Sequence, residues 1–378
     1  MKVAMFGHKK IPSRDGGIEI VVDELGTRLV ENGISVTCFN RSDHFRFSRE
    51  FKTKQKYHGM IVKQVPTIDV KGMAAITSSF FAAVNAAIGK FDIVHIHAEG
   101  PAIFCWIPKL FHKKVVVTVH GLDWMREKWH GGIGAKVIHM GEKSAVKYAD
   151  EIIVLSDNVK KYFYDTYKRS THMIPNGVCK PVRRDVNKIK EMYGLNQNTY
   201  ILFLGRLVPE KGISYLIKAF KQVDTNLKLV IAGGSSDTDE YERNLKDMSS
   251  DDSRILFTGF VQGEVMDELY SNAYLYVLPS DLEGMPLSLL EAMSYGNCCL
   301  VSDIKEMTEV VEDKAVIFPK SNVQALTNSL QNLFDHPETV ERYKGQSAEY
   351  ICQKYNWNEV TDKTIAIYRN VKDHLDEQ

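Results

Sequence analysis

A chain of 378 residues is too long for one ordinary hydrophobic core, so two domains are expected. With 44% hydrophobic and 25% charged residues it reads as globular, which excludes fibrous and disordered classes. Lys+Arg and Asp+Glu are both 48, so no net charge marks it for a nucleic-acid partner, and none is expected.

The six cysteines (Cys38, Cys105, Cys179, Cys298, Cys299 and Cys352) form no C-x-x-C pair, and adjacent Cys298 and Cys299 are unsuited to an ordinary disulfide. This is the usage of a reducing compartment. The opening MKVAMFGHKK carries no signal-peptide apolar region. The longest mostly apolar stretch, Met73 to Ile88, is interrupted by Thr77, Ser78, Ser79 and Asn85 and falls short of the roughly 18–20 apolar residues that span a bilayer. A cytoplasmic protein is expected, with membrane contact only from outside the bilayer.

In chain order, Lys2–Phe6 reads as a strand, Gly17–Asn32 as a helix with Ile20, Val21, Leu25 and Leu29 on one stripe, and Ser35–Phe39 as a strand. Ile61–Val65, the helix Met73–Ile88, and strands Ile93–His97, Val115–Val119 and Ile152–Leu155 follow. A second series of strands runs Tyr200–Leu204, Leu227–Ala232, Ile255–Phe257, Tyr274–Val277, Cys298–Val301 and Ala315–Phe318. Short apolar strands separated by helices predict parallel sheets buried on both faces. The expected organisation is α/β, with Rossmann-like domains over 1–180 and 190–355, and a helix in 356–378 packing back toward the first. Asn176–Asn196 is expected as the linker, and the site in a cleft where the two domains face each other.

Between Arg41 and Lys63 seven basic residues (Arg41, Arg46, Arg49, Lys52, Lys54, Lys56, Lys63) stand against two acidic ones, Asp43 and Glu50. The segment is either a solvated loop or a patch that meets an anionic membrane surface or an anionic acceptor.

The strongest chemical motif is DLEGMPLSLLEAMSYG, Asp281 to Gly296. After a strand and the break at Pro279, Gly284 and Pro286 end a loop and Leu287 starts a helix, a position that tolerates a nearby proline. Amides from about Leu287 to Leu290 would point at an anion with the positive end of the helix dipole. Glu283 and Glu291 then place a carboxylate at each end of a bound diphosphate. A second motif, LGRLVPEKG (Leu204 to Gly212), sets Arg206 and Lys211 five apart across a turn opened by Gly205. A guanidinium fork and an ammonium point charge there suit one diphosphate.

Together these elements resemble the E-x7-E and R-x4-K signature of the retaining GT-B glycosyltransferases of family 4. The resemblance implies that Arg206 and Lys211 hold the donor diphosphate, Glu283 the donor-sugar hydroxyls and Glu291 the nucleotide ribose. Around Glu283, the segment Gly284, Met285, Pro286, Leu287 and Ser288 would line the donor. AGG, ending Gly233-Gly234, resembles the family's glycine-rich turn, and TGF precedes Val261, the expected backbone contact to the base. RDGGIEIVVDELGTRLVENG (Arg14–Gly33) resembles a rhamnosyltransferase-like subgroup, with Gly16 and Gly17 presenting amides to the donor phosphate. It lacks G-x-G-x-x-G, which counts against a nicotinamide enzyme. His120, ending the strand of VVVTVHGLDW, would lie beside the donor sugar. Asp123 either contacts the acceptor or caps a turn. Trp124 and Trp129 would stack on an acceptor sugar or serve the core.

His95 and His97, alternating along a strand, are expected on opposite faces, which argues against a shared metal. The D-x-D at Asp237 and Asp239 reads as a solvated loop, so no metal or other cofactor is expected. The expected partners are a nucleotide sugar, with dTDP-rhamnose the first candidate, and a saccharide or lipid-linked saccharide. The expected reaction is sugar transfer with retention in cell-surface polysaccharide synthesis. A sugar-nucleotide 2-epimerase and a non-catalytic sugar-nucleotide-binding subunit are the alternatives.

Overall fold

The computed structural model describes residues 1–42, 55–68, 70, 72–125, 132–235 and 239–373. They form two compact units, Met1–Asn176 with Trp357–Gln378, and Gly177–Asn356.

The first unit is built on an eight-stranded sheet of β1 (Lys2–Phe6), β2 (Ser35–Arg41), β3 (Gln55–Tyr57), β4 (Met60–Val65), β5 (Ile93–His97), β6 (Lys114–Val119), β7 (Glu151–Val154) and β8 (His172–Met173). Its order is β3-β4-β2-β1-β5-β6-β7-β8, parallel except for β3. The edge strands β3 and β8 lie outside the expected elements; at three and two residues they are too short to show a pattern. Helices α1 (Gly17–Glu31), α2 (Met73–Ile88), α3 (Glu99–Ala102), α4 (Trp106–Leu110), α5 (Ile133–Tyr148) and α6 (Asp157–Tyr167) connect the strands. Strands buried on both faces need uninterrupted apolar runs, and Val115, Val116, Val117 and Val119 are all fully buried. The C-terminal helix Trp357–Asp373 belongs to this unit: Tyr368 Oη lies 2.6 Å from His95 Nδ1, and Arg28 lies over the Trp357 ring.

The second unit carries α7 (Lys188–Tyr193), then an all-parallel sheet of β9 (Tyr200–Leu204), β10 (Lys228–Ala232), β11 (Ile255–Gly259), β12 (Leu275–Leu278), β13 (Cys299–Ser302) and β14 (Val316–Phe318). Its order is β11-β10-β9-β12-β13-β14. Helices α8 (Ile213–Phe220), α9 (Asp239–Ser249), α10 (Glu264–Asn272), α11 (Leu287–Ser294), α12 (Lys305–Val311), α13 (Val323–Asp335) and α14 (Pro337–Lys354) complete it. Of the expected linker Asn176–Asn196, all but Asn176 is built into this unit. Glu268 of α10 accepts from the amides of Asn187 and Ile189 at 2.9 and 3.0 Å, and Arg184 pairs with Asp267. Chain order reverses direction in each sheet after β1 and after β9. The crevices at those strand ends are where ligands of open α/β sheets bind.

Candidate active site

In the second unit the two motifs meet at the carboxyl ends of β9 and β12. A short 3-10 turn, Pro209–Lys211, ends at Gly212 in the left-handed conformation with φ of 66°. A Cβ on Gly212 would stand 2.0 Å from the Pro279 carbonyl oxygen, so only glycine lets the two loops come this close. The amide of Asp281 then donates to the Glu210 carbonyl at 2.8 Å. Across this seam Lys211 Nζ donates to Glu283 Oε1 at 2.5 Å, and Ser280 Oγ donates to the same oxygen at 2.7 Å. Both charged side chains are nearly buried, at 12% and 8% exposure. The ammonium keeps two further protons, and Glu283 keeps its other oxygen for a hydroxyl donor. Arg206 stands half-buried in the same loop, two residues past the end of β9.

Pro286 caps α11 with extended backbone and no side-chain cap. The expected run of four open amides is shorter. Leu289 and Leu290 already donate to the Pro286 carbonyl, which leaves the amides of Leu287 and Ser288 without an acceptor among the described residues. Tyr276 Oη donates to Ser288 Oγ at 3.0 Å, and Tyr270 Oη to Glu291 Oε2 at 3.4 Å, so two tyrosines hold the helix head and its glutamate. Gly284, Met285 and Pro286 are buried beneath it. Gly205 and Gly233 touch back to back: a Cβ on Gly233, at φ of 142°, would meet the Gly205 carbonyl at 1.8 Å. Val261 lies half-buried two residues beyond β11. Sequence reasoning missed Ser280, which serves Glu283 three residues on, and Tyr270 and Tyr276, whose hydroxyls serve motif residues 21 and 12 positions away.

In the first unit, Gly16 caps α1, but the Glu19 carboxylate lies against it, where a Gly16 Cβ would meet Oε2 at 2.4 Å. Glu19 also accepts from the Lys9 amide at 2.7 Å, while Gly17 is exposed. An acid at the helix start thus competes with any phosphate there. His120 follows β6, and its Nε2 lies 3.1 Å from His97 Nδ1. His95 and His97 were expected on opposite faces; the structure corrects this, with ring centroids 4.2 Å apart. Side chains two apart in a strand share a face. Burial pushes His95 down to about 3, and burial with the neighbouring histidines holds His97 well below the usual imidazole range. Both rings are neutral hydrogen-bonding groups at physiological pH.

The turn Asp123–Met125 is tied from below by two buried glutamates. The Asp123 amide donates to Glu99 Oε2 at 2.9 Å, and Trp124 Nε1 donates to Glu142 Oε2 at 3.2 Å. Tyr162 and Tyr167 donate to the other Glu142 oxygen. Burial, the Asp123 charge and a hydrogen bond to Glu142 hold the Glu99 carboxyl well above the usual range. Trp124 packs its ring on His139 and Tyr162. Trp129 lies outside the described residues, as do Asp237 and most of the basic segment, Arg46, Arg49, Lys52 and Lys54 included. Asp239 opens α9 and accepts from Ser235 Oγ. Among the described residues no helix is long and apolar enough to cross a membrane.

Comparison with known proteins follows this division of the chain. Residues 15–179 match the model described as Glycosyltransferase Family 4, and residues 185–350 that of Glycosyl transferases group 1. The chain belongs to the family 4 glycosyltransferases. An uncharacterized glycosyltransferase of Methanocaldococcus jannaschii is 25% identical, over 98% of each chain. Sucrose-phosphate synthase from Thermosynechococcus elongatus superposes with a TM-score of 0.81 at 22% identity, over 98% of each chain. HepE of Anabaena, solved with UDP-glucose, gives 0.78 at 16% identity over 100% of each chain. The fold of this glycosyltransferase is therefore GT-B, with two Rossmann-like domains. The epimerase alternative finds no support in these matches.

Proposed function

We propose that this glycosyltransferase moves a sugar from a nucleoside diphosphate to a hydroxyl of a lipid-linked saccharide, with retention, in cell-surface polysaccharide synthesis. The observation that carries the reading is the Lys211–Glu283 pair at the strand ends, in the same unit as the open amides of Leu287 and Ser288. Departure of the diphosphate leaves negative charge on phosphate and positive charge at the anomeric carbon. Arg206, Lys211 and the head of α11 would stabilise the first, in a site built before the substrate arrives. Glu283 orients sugar hydroxyls through its second oxygen, and Glu291, steadied by Tyr270, takes the ribose. Retention follows the family resemblance: the acceptor attacks from the face the phosphate leaves, and the phosphate takes its proton. No metal enters this scheme. The acceptor roles of Asp123, Trp124 and Trp129, and that of His120 toward the donor sugar, follow the family resemblance alone.

For the donor, dTDP-rhamnose is the first candidate, from the subgroup resemblance of Arg14–Gly33. UDP-glucose, the ligand solved with HepE, is its competitor. The enzyme works in the cytoplasm, peripherally at the inner membrane face. A thermal-shift screen of UDP-, dTDP- and GDP-sugars tests the reading. The true donor at 100 times its Kd adds about 2.7 kcal/mol of stability. That shift should vanish in Arg206→Ala. A screen in which no nucleotide sugar moves the melting point sinks the proposal, and selective turnover of UDP-glucose sinks the rhamnose part.

A further inference from the structure

The helix α2 turns small residues inward and leaves part of its apolar bulk outward. Its inward face carries small residues (Ser78, Ser79, Ala82, Ala83, Ala86 and Ala87), all buried. Of its larger apolar residues, Phe81 and Val84 pack partly buried against the core, while Met73, Phe80 and Ile88 recur at spacings of seven and eight, an outward stripe on a 3.6-residue helix. Met73, Phe80 and Ile88 are exposed, Ile88 by 66%. Its 16 residues MAAITSSFFAAVNAAI include no charged side chain. A helix facing water reverses this arrangement, putting bulk inward and charge outward.

The neighbouring α4 continues the surface. Ile107 and Pro108 turn inward, while Trp106 is exposed, Leu110 is exposed by 67%, and Phe111 just after it by 51%. Phe80 packs edge-on against Phe104 at 5.7 Å, which joins the two elements. Lys90 follows α2, and His112 and Lys113 follow α4; Lys90 and His112 are exposed. Neither helix contains an acidic residue. The carboxylates near them in sequence or contact are already engaged, Asp92 with the Lys2 amide and Lys372, and Asp150 with Lys109.

We propose that the α2–α4 face docks this protein reversibly on an anionic lipid surface. Phe80, Ile88, Leu110 and Phe111 enter the boundary between headgroups and acyl chains. Trp106 lies at headgroup level, where an indole keeps an apolar body and a polar N–H satisfied together. Lys90, His112 and Lys113 meet the phosphates. The surface is argued from the first unit alone. It deepens the reading above only in saying where a lipid-linked acceptor is met, and it shifts membrane contact from the basic segment Arg41–Lys63 to an apolar face with a basic border.

The test uses the full chain and vesicles of phosphatidylglycerol and phosphatidylethanolamine, with phosphatidylcholine vesicles as the uncharged control. The protein should float with the anionic vesicles, and brominated lipid should quench its tryptophan emission, an effect lost in Trp106→Phe. Phe80→Ser/Leu110→Ser, both exposed, should weaken vesicle binding at least about tenfold. Its melting point and its thermal shift with donor should stay unchanged. Failure to float with anionic vesicles, wild-type binding by the double variant, or a dimer in light scattering that the double variant dissociates would each overturn the proposal. Because none of these readouts needs sugar transfer, loss of the proposed activity leaves them intact.

Discussion

Lys211 Nζ lies 2.5 Å from Glu283 Oε1, though 72 residues separate the two in the chain. The pair ties the two sequence motifs into one object, and each partner is placed by the other as much as by its own loop. A nearly buried ion pair is costly to break from one side, because the survivor keeps its desolvation cost without its counter-charge.

Lys211→Met should therefore lower unfolding free energy by about 3 kcal/mol in urea titration. Lys211→Met/Glu283→Gln should recover at least half of that loss. Turnover at saturating donor should still fall at least about tenfold in both, since a charged contact to the leaving group is gone. Near-normal turnover in Lys211→Met would remove lysine from the phosphate role.

Gly212 allows the seam on which that pair depends. Gly212→Ala faces both a φ of 66° and a 2.0 Å approach to the Pro279 carbonyl. The loops must then part. Steady-state kinetics should show the donor KM raised at least about tenfold, with helix and strand content unchanged by circular dichroism. An unchanged KM would mean that the loop spacing is irrelevant to donor binding.

Transfer should persist in excess chelator, and Asp237→Ala/Asp239→Ala should remain active. Asp239 already serves Ser235 at the start of α9. Activity abolished by chelator and restored by manganese would bring a metal into the scheme.

Glu99 supplies a pH signature. Its carboxyl is held above the usual range by burial, by Asp123 and by Glu142, with His139 3.5 Å from Glu142 Oε1. A raised folded-state pKa means that the folded chain keeps a proton the unfolded chain has lost. The stability this adds is fully present below the ordinary glutamate value of 4.5 and is lost as pH rises through the folded value. Glu99→Gln mimics the protonated form, donating to Glu142 and accepting from Asp123. Its melting point should fall less than that of wild type as pH rises above 4.5. Parallel curves for the two proteins would show that Glu99 is not the group that titrates.

Elements with a strong period were legible from sequence. Met73–Ile88 is a helix over those same bounds, and Tyr200–Leu204 a strand. The hidden features depend on partners far along the chain. Glu142 belongs to no motif of the sequence, yet Trp124, Tyr162 and Tyr167 converge on it. Glu283 gives no sign of needing a lysine 72 positions earlier. The contact of His95 with His97 was available in VHIHAEG, since alternate residues of a strand return to one face. The outward bulk of α2 was also present in its letters, but periodicity alone does not say which stripe turns inward.

The return of Trp357–Asp373 to the first unit sets an order of assembly. On a ribosome, Gly177–Asn356 is complete while the unit begun before it still waits for its last helix. Until Tyr368 emerges, His95 has no phenol at its Nδ1, and the α1 side of the sheet lacks its cover. The half of the enzyme synthesised first is thus the half finished last. A chaperone guarding the nascent chain would find its client surface there.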